Sequence, residues 1–252
     1  MFKIVLVTGA TSGFGKAIAQ KFAANKYNII ITGRRTNRLE ALQKELMETY
    51  AVEVLPLSFD VRDKKSCFGA IEKLPRQWKA IDILVNNAGL ALGRDFFDEA
   101  DIDDWDTMID TNVKGLLYMS KAVLPSMIAR RQGHIINIGS TAAKEVYEKG
   151  NAYCATKHAV DAISKAMRVD LLRHQIKVTA VHPGAAETEF SVVRFKGNGE
   201  NARKVYEGYQ PLQAADIAEI VWFAASLPPH VCLNDLVVTC TAQANSFYLH
   251  KD

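Results

Sequence analysis

A chain of 252 residues, 48% of them hydrophobic and 23% charged, is long enough for one large α/β domain with a well-buried core. Its formal net charge is only +3, and the pairs Arg34-Arg35 and Arg130-Arg131 are too short to make a polyanion track, which excludes a general nucleic-acid binder. No apolar run reaches the roughly 18 residues that a membrane-spanning helix needs.

The chain opens on MFKIVLVTGAT, without a basic leader or a small-residue cleavage site, as expected of the mature start of a cytoplasmic protein. Short β-branched runs then alternate with segments of helical period. KIVLVT (3–8) precedes a helix with Phe14, Ile18 and Phe22 on one face, and NIIIT (28–32) precedes one carrying Leu39, Leu42 and Leu46. AVEVLPLSF (51–59) leads to a helix near 63–74, and IDILVN (81–86) to a long one near 103–130. HIINIGS (134–140) precedes a helix near 150–173, and KVTAVH (177–182) follows it. Strands that are apolar throughout, rather than alternating, are covered on both faces. Repeated βαβ units with right-handed crossovers give a parallel sheet, so the expected fold is a single-domain, doubly wound (Rossmann-type) α/β sheet with helices on both faces. From Pro183 to about residue 212 the chain is polar and weakly periodic, as expected of a lid or substrate loop. A helix near 214–227 and the strand LVVTCT (236–241) close the pattern.

The turn after the first strand reads TGATSGFG (8–15): Gly9, Ala10, Thr11, Ser12, Gly13, Phe14, Gly15. Glycine permits a positive φ and close backbone approach, and the free N–H groups of the following helix favour a pyrophosphate. At the end of the second strand, where an NAD site usually has an acid for the ribose 2′-hydroxyl, stand Arg34 and Arg35. Two guanidiniums suit a 2′-phosphate, so the expected cofactor is NADP. Asp60-Val61 and Asn87-Ala88-Gly89 fall at the carboxyl ends of later strands, along the same ligand-binding edge, where Asp60 can accept from an adenine amino group.

Tyr153 and Lys157, in YCATK, share one helical face, thirteen positions after Ser140. A free tyrosine, with a pKa of about 10, is a poor base; the nearby ammonium is expected to lower it towards working pH. Ser140 at a strand end can hydrogen-bond the substrate oxygen. Cys67, Cys154, Cys232 and Cys240 lack metal-ligand or CxxC spacing, so free thiols and no metal site are expected.

In TGATSGFG, NNAG, Asn112, Ser140, YCATK and PGAAET (183–188), in that order, the chain resembles the short-chain dehydrogenases/reductases over nearly its whole length. The resemblance implies a tetrad of Asn112, Ser140, Tyr153 and Lys157: Tyr153 as acid/base, Ser140 positioning the substrate oxygen, Lys157 also holding the nicotinamide ribose, and Asn112 supporting a water-linked proton relay. It places Pro183, Gly184 and Thr188 at the carboxamide end of NADP and implies a homotetramer built on the two long helices. NNAGLALG, MIDTNVKGLLYM, GHIINIGSTA and TEFSVVRFKG further resemble the bacterial NADP-dependent 3-hydroxy acid dehydrogenases that oxidise serine and allo-threonine. That implies oxidation of small 3-hydroxy acids, 3-hydroxypropionate included, with Arg194 or Lys144 as the cation for the substrate carboxylate. The stretch TAAKEVYEKGN departs from the group by placing Lys144, Glu145, Glu148 and Lys149 near the expected substrate mouth. The other readings are an NADPH-dependent reductase of neutral aldehydes, ketones or diketones, and a non-catalytic NADP(H)-binding sensor or scaffold. The intact Ser140/Tyr153/Lys157 set argues against the last.

Overall fold

The computed structural model describes residues 3–252; Met1 and Phe2, the first residues of the opening segment, lie outside the described residues. Its strands are β1 (Ile4–Val7), β2 (Asn28–Gly33), β3 (Val54–Ser58), β4 (Ile83–Asn86), β5 (Gly133–Ile138), β6 (Ile176–Pro183), β7 (Ala186–Glu187), β8 (Leu212–Gln213) and β9 (Asp235–Val238). Seven of them form a parallel sheet in the order β3-β2-β1-β4-β5-β6-β9. The helices are α1 (Gly13–Ala24), α2 (Thr36–Tyr50), α3 (Lys64–Glu72), α4 (Ile102–Ile109), α5 (Leu116–Arg130), α6 (Asn151–Leu171), α7 (Glu189–Arg194), α8 (Gly199–Lys204) and α9 (Ala214–Ser226).

β1 shows why the strands read as continuously apolar. Val5 and Val7 pack with Ile18, Phe22, Leu39, Leu46 and Val221, under α1, α2 and α9. Ile4 and Leu6 point the other way, into a cluster with Cys67, Met119, Val123, Met127 and Leu171 under α3, α5 and α6. Side chains alternate across a strand, so both phases must be apolar when both faces are covered. Phe22, Tyr27 and Trp222 meet edge-on at centroid distances of 5.1, 5.4 and 5.7 Å and fasten α9 over α1.

β1 pairs with β2 on one side and β4 on the other, with Val5 opposite both Ile29 and Ile83. Strand order reverses there, and ligands of open α/β sheets lie in the crevice outside such a switch point. Pro56 sits in β3, an edge strand where its missing N–H costs least.

Three expectations change. The single helix near 103–130 is α4 and α5 joined by a π-helical segment, Asp110–Gly115. The last strand ends at Val238, and the chain beyond folds back, Gln243 bridging to Leu249. The stretch 183–212 is not irregular: it holds α7, α8 and the parallel β7–β8 pair. Six-residue helices make fewer than two turns, too short to register a period.

Of the apolar residues on the two long helical stretches, Leu116 and Met119 are core and Met167 packs against it, whereas Leu117 is exposed. The four thiols are unpaired. Among the described residues, no helix is long and apolar enough to cross a membrane.

Candidate active site

At the carboxyl end of β1 the glycine turn is packed too tightly for side chains. Gly9 has φ +65°, and a Cβ on it would lie 2.9 Å from Ala88 Cα; one on Gly15 would lie 2.3 Å from the Gly9 carbonyl oxygen. Asn87 braces this turn, its side-chain amide donating to the carbonyls of Thr8 (2.8 Å) and Gly9 (3.2 Å). The Thr8 hydroxyl accepts from the main-chain N–H of Asn87 and Ala88. A cleft of about 280 Å³ opens above, lined by the turn, Arg34, Arg35, Asp60, Val61, Ala88 and Gly89, with Lys157 at its inner end. Thr111 lines it too, buried, its hydroxyl unpartnered.

The β2 end of this cleft is already arranged around an oxyanion. Arg35 donates to the hydroxyls of Thr11 (3.1 and 2.6 Å) and Ser12 (2.8 Å), and reaches the Glu189 carboxylate at 3.1 Å. Arg38, a cation not singled out in the sequence, holds the same carboxylate at 2.8 and 2.9 Å. Burial opposes the charge on Glu189, yet the bonds from Arg38 and Arg35 keep its carboxyl below the ordinary value. Arg34 lies exposed, 3.7 Å from Asp60. Asp60 does not stand free for an adenine amino group. Its carboxylate takes bonds of 2.9 and 2.7 Å from Arg62, which outweigh burial and keep it ionised. The glycine cradle, the hydroxyls and the guanidiniums together match the phosphates of NADP.

Ser140 follows β5, its hydroxyl accepting from the Ala142 N–H at 3.1 Å and close enough to the Tyr153 phenol to draw its pKa down. On α6, Tyr153 and Lys157 are both buried; the ammonium lies 5.9 Å from the ring centroid and donates to the Ile138 carbonyl at 3.0 Å. Burial alone pushes the Lys157 ammonium down to about 8. The expectation that Lys157 lowers the phenol is corrected here. Burial, with Tyr147 next, holds Tyr153 above its ordinary value, and the downward pulls come from the Ser140 hydroxyl and Arg194. The buried ammonium is engaged by a carbonyl, while the Arg194 guanidinium carbon sits 5.5 Å from the phenol ring.

Asn112 comes from the π segment. Its amide exchanges bonds with the Leu90 N–H and carbonyl, both 2.8 Å, and donates to Thr156 Oγ1 at 3.1 Å. It thereby ties the loop after β4 to α6. A Cβ on Gly89 would lie 3.2 Å from Asn112 Oδ1 and 3.6 Å from Lys157 Nζ.

A second cavity, of about 590 Å³, adjoins the cleft, and Tyr153 lines both. Ser140, Tyr147, Phe190 and Arg194 wall it, with Pro183 and Gly184 at its floor. Arg194 donates to the Tyr147 hydroxyl (3.1 Å) and weakly to the Gly93 carbonyl (3.4 Å), and has no carboxylate partner among the described residues. Thr188 caps α7 by accepting from the Phe190 N–H and stands 3.5 Å from where a Gly13 Cβ would be, so α7 bridges cleft and cavity.

The short chain dehydrogenase family model matches residues 3–198. The chain is a short-chain dehydrogenase. The NADP-dependent 3-hydroxy acid dehydrogenase YdfG of Salmonella typhi is 50% identical over 242 residues, 96% of each chain. The NADP-dependent 3-hydroxy acid dehydrogenase of Schizosaccharomyces pombe is 43% identical over 250 residues, 99% of this chain and 96% of that one. A closed form of serine dehydrogenase complexed with NADP+ superposes with a TM-score of 0.92 at 45% identity, covering 99% of this chain and all of that one.

In this short-chain dehydrogenase three of the four charged residues after Ser140 are engaged by other groups, and none of the four lines the cavity. Lys144 bonds Asp161 (3.0 Å) and Asp235 (2.7 Å), Glu145 accepts from the Ser246 N–H, and Lys149 lies over the Phe96 ring. Lys144 is thereby removed as a rival to Arg194. The dehydrogenase recruits instead residues that the sequence did not mark. Arg94, Tyr147, Gln243, Ser246 and Lys251 line the cavity, three of them from the returning C-terminal segment. They belong to loops without period, and only the tertiary path brings them in.

Proposed function

We propose that this enzyme oxidises the hydroxyl of small 3-hydroxy acids, of the serine, allo-threonine and 3-hydroxypropionate type, reversibly to the carbonyl with NADP as cofactor. The observation that carries this reading is the placing of Tyr153 where cleft and cavity meet, with Ser140 in the same cavity wall and the carboxylate-free Arg194 beside its ring. The names of the relatives point the same way.

Gly9, Ala10, Thr11, Ser12, Gly13, Phe14 and Gly15 would hold the pyrophosphate, and Arg34, Arg35 and Arg38 the 2′-phosphate. Asp60, Val61, Asn87, Ala88 and Gly89 would flank the adenosine and ribose, and Pro183, Gly184 and Thr188 the carboxamide end. When bound, NADP supplies the acceptor for the hydride that leaves the carbinol carbon. Ser140 orients the substrate hydroxyl, and Tyr153, as phenolate, takes its proton while the C=O bond forms. In reduction the neutral phenol returns that proton. Lys157 holds the site's positive charge and Asn112 keeps its loop in place. Residues 183–212 act as the substrate lid through α7. The family resemblance and the exposed Leu117 on α5 support a homotetramer, and we place the enzyme in the cytoplasm.

An NADP+ reduction assay over L- and D-serine, the threonine isomers, 3-hydroxypropionate and neutral alcohols tests the substrate class. Turnover confined to neutral alcohols would replace this reading by that of a neutral carbonyl reductase. Arg194→Ala should raise KM for carboxylate substrates roughly tenfold, as expected for one charge-assisted bond, and spare neutral alcohols. Equal effects on both would remove Arg194 from the substrate site. Arg35→Ala should lower kcat/KM with NADP by roughly 10–100-fold and hardly alter that with NAD. Parallel loss with both cofactors would show that Arg35 serves the turn rather than the 2′-phosphate.

A further inference from the structure

The substrate cavity offers more than a three-carbon acid can use. Its volume of about 590 Å³ falls among pockets that take far larger ligands, roughly 300–1,000 Å³. No aspartate or glutamate lines it, whereas Arg94, Arg194, Lys204 and Lys251 do. Lys204 is engaged by Glu200 at 2.7 Å, and the other three cations have no carboxylate partner among the described residues. Arg194 stands beside Tyr153, at the reacting end. Lys251 stands on a second wall, built by the chain after α8 and the returning C-terminal segment, and that wall takes no part in the cofactor cleft.

The second wall is pinned in place. The Asp252 N–H donates to the Gly208 carbonyl and the His250 N–H to the Ala242 carbonyl, both at 2.9 Å. Lys251 lies between these anchors, its ammonium 5.6 Å from the centroid of the Tyr209 ring. Two hydroxyls on the same wall, Tyr209 Oη and Ser246 Oγ, are buried without a partner among the described residues. The neighbouring Tyr206 shows the contrast: its hydroxyl donates to the Ala186 carbonyl at 2.7 Å. Ser246 is fixed through its main-chain N–H, which Glu145 accepts at 2.7 Å, so its hydroxyl is not needed to hold it. Burial pushes the Tyr209 phenol up to about 12, which keeps it an O–H donor at working pH. Buried polar groups are nearly always paired, and an ammonium beside two unpaired hydroxyls suits an oxyanion.

We propose that the cavity takes 3-hydroxy acids bearing a second carboxylate at the far end of the chain, seated on Lys251 and the Tyr209 and Ser246 hydroxyls while the first carboxylate lies on Arg194. This rests on the 3-hydroxy acid reading given above and extends its substrate class to 3-hydroxy dicarboxylic acids. The bond changes stay the same: the carbinol carbon gives its hydride to NADP and its hydroxyl proton to Tyr153, and the second carboxylate only positions the chain. A cavity without a single acidic side chain sets no like charge against such a dianion.

The test compares NADP+ reduction by the full-length enzyme with 3-hydroxyglutarate, 3-hydroxyadipate and 3-hydroxysuberate, each against the 3-hydroxy monocarboxylate of equal carbon number. In at least one pair kcat/KM should favour the dicarboxylate by roughly tenfold or more, as expected of charge-assisted bonds. Tyr209→Phe should cut that preference roughly tenfold, and Lys251→Met roughly threefold, because its ammonium is exposed to screening solvent. Tyr209→Phe keeps the ring and removes only an unpaired hydroxyl, so its thermal unfolding temperature should not fall; should it fail to fold, Lys251→Met on the exposed wall carries the same comparison. No preference in any pair, or a preference that both variants leave intact, would overturn the inference while the 3-hydroxy acid reading stands. Should no hydroxy acid of any length be oxidised, it is that reading of the chemistry that has failed. Calorimetric titration of the NADP-loaded enzyme with adipate and hexanoate, which have no carbinol, then judges the seat by itself: adipate should bind more tightly, and equal binding would remove the second carboxylate site.

Discussion

Tyr153→Phe is expected to lower kcat in both directions by roughly 10²–10⁴-fold, the range that a positioned proton-transfer group contributes. Cofactor affinity should change little, because on the proposed reading the glycine turn and the arginines lining the cleft, not the phenol, would hold the cofactor's phosphates. Single-turnover NADPH oxidation beside a fluorescence titration of NADPH separates the two effects. Retained turnover would remove the phenol from the chemistry. The raised phenol also gives a sign for pH. Oxidation needs the phenolate and should climb as pH rises through the alkaline range, whereas reduction draws on the neutral phenol and should hold at neutral pH. A flat oxidation profile would mean that another group takes the proton.

Lys157→Met should produce opposite effects on activity and stability. The ammonium is buried and held down to about 8, against 10.5 when exposed. Between those values the unfolded chain keeps a proton that the folded chain has released, so stability rises with pH across that window; below it the folded state carries the full desolvation cost. Removing the charge should relieve about 3 kcal/mol at pH 7, less about 1 kcal/mol for the lost bond to the Ile138 carbonyl, leaving a gain of about 2 kcal/mol. The gain should fade as pH approaches 10.5. Turnover should meanwhile drop at least about 10²-fold, as when a preorganised charge is taken from a reacting site. Urea unfolding at pH 7 and 10 beside steady-state rates checks both. A variant destabilised at pH 7 would mean that the lysine's packing, not its charge, governs the fold there.

The sheet was legible because its strands announce themselves: a run such as KIVLVT must be apolar in both phases when helices cover both faces, and the glycine turn and the β2 arginines follow at fixed places along one edge. Ser140, Tyr153 and Lys157 were legible as a set because helical spacing and a strand end bring them to one point. What stayed hidden depends on contacts that local pattern does not encode. Asp60 looked free until Arg62, two residues on, was seen to hold it, and Lys144 looked poised for substrate until β9 supplied Asp235. Arg38 lies in the first turn of α2, where a cation reads as a solvated surface charge; only Glu189, 151 residues away, shows what it faces. The protonation of Tyr153 was misjudged in direction because burial cannot be weighed from spacing.

The wide turn at Asp110–Gly115 settles a conflict of phase. Met108 and Met119 are eleven residues apart, which an unbroken α-helix would place on nearly the same side. Yet Met108 packs with Tyr153 and Cys154, whereas Met119 belongs to the sheet-facing core with Val123. One extra residue in the coil turns everything downstream by roughly 100°, so the same rod can plug two separate cores, and Thr111 emerges at the seam facing the crevice while Asn112 beside it is held by Leu90 and Thr156. Straightening that rod would set one methionine adrift from its core, and the asparagine with it.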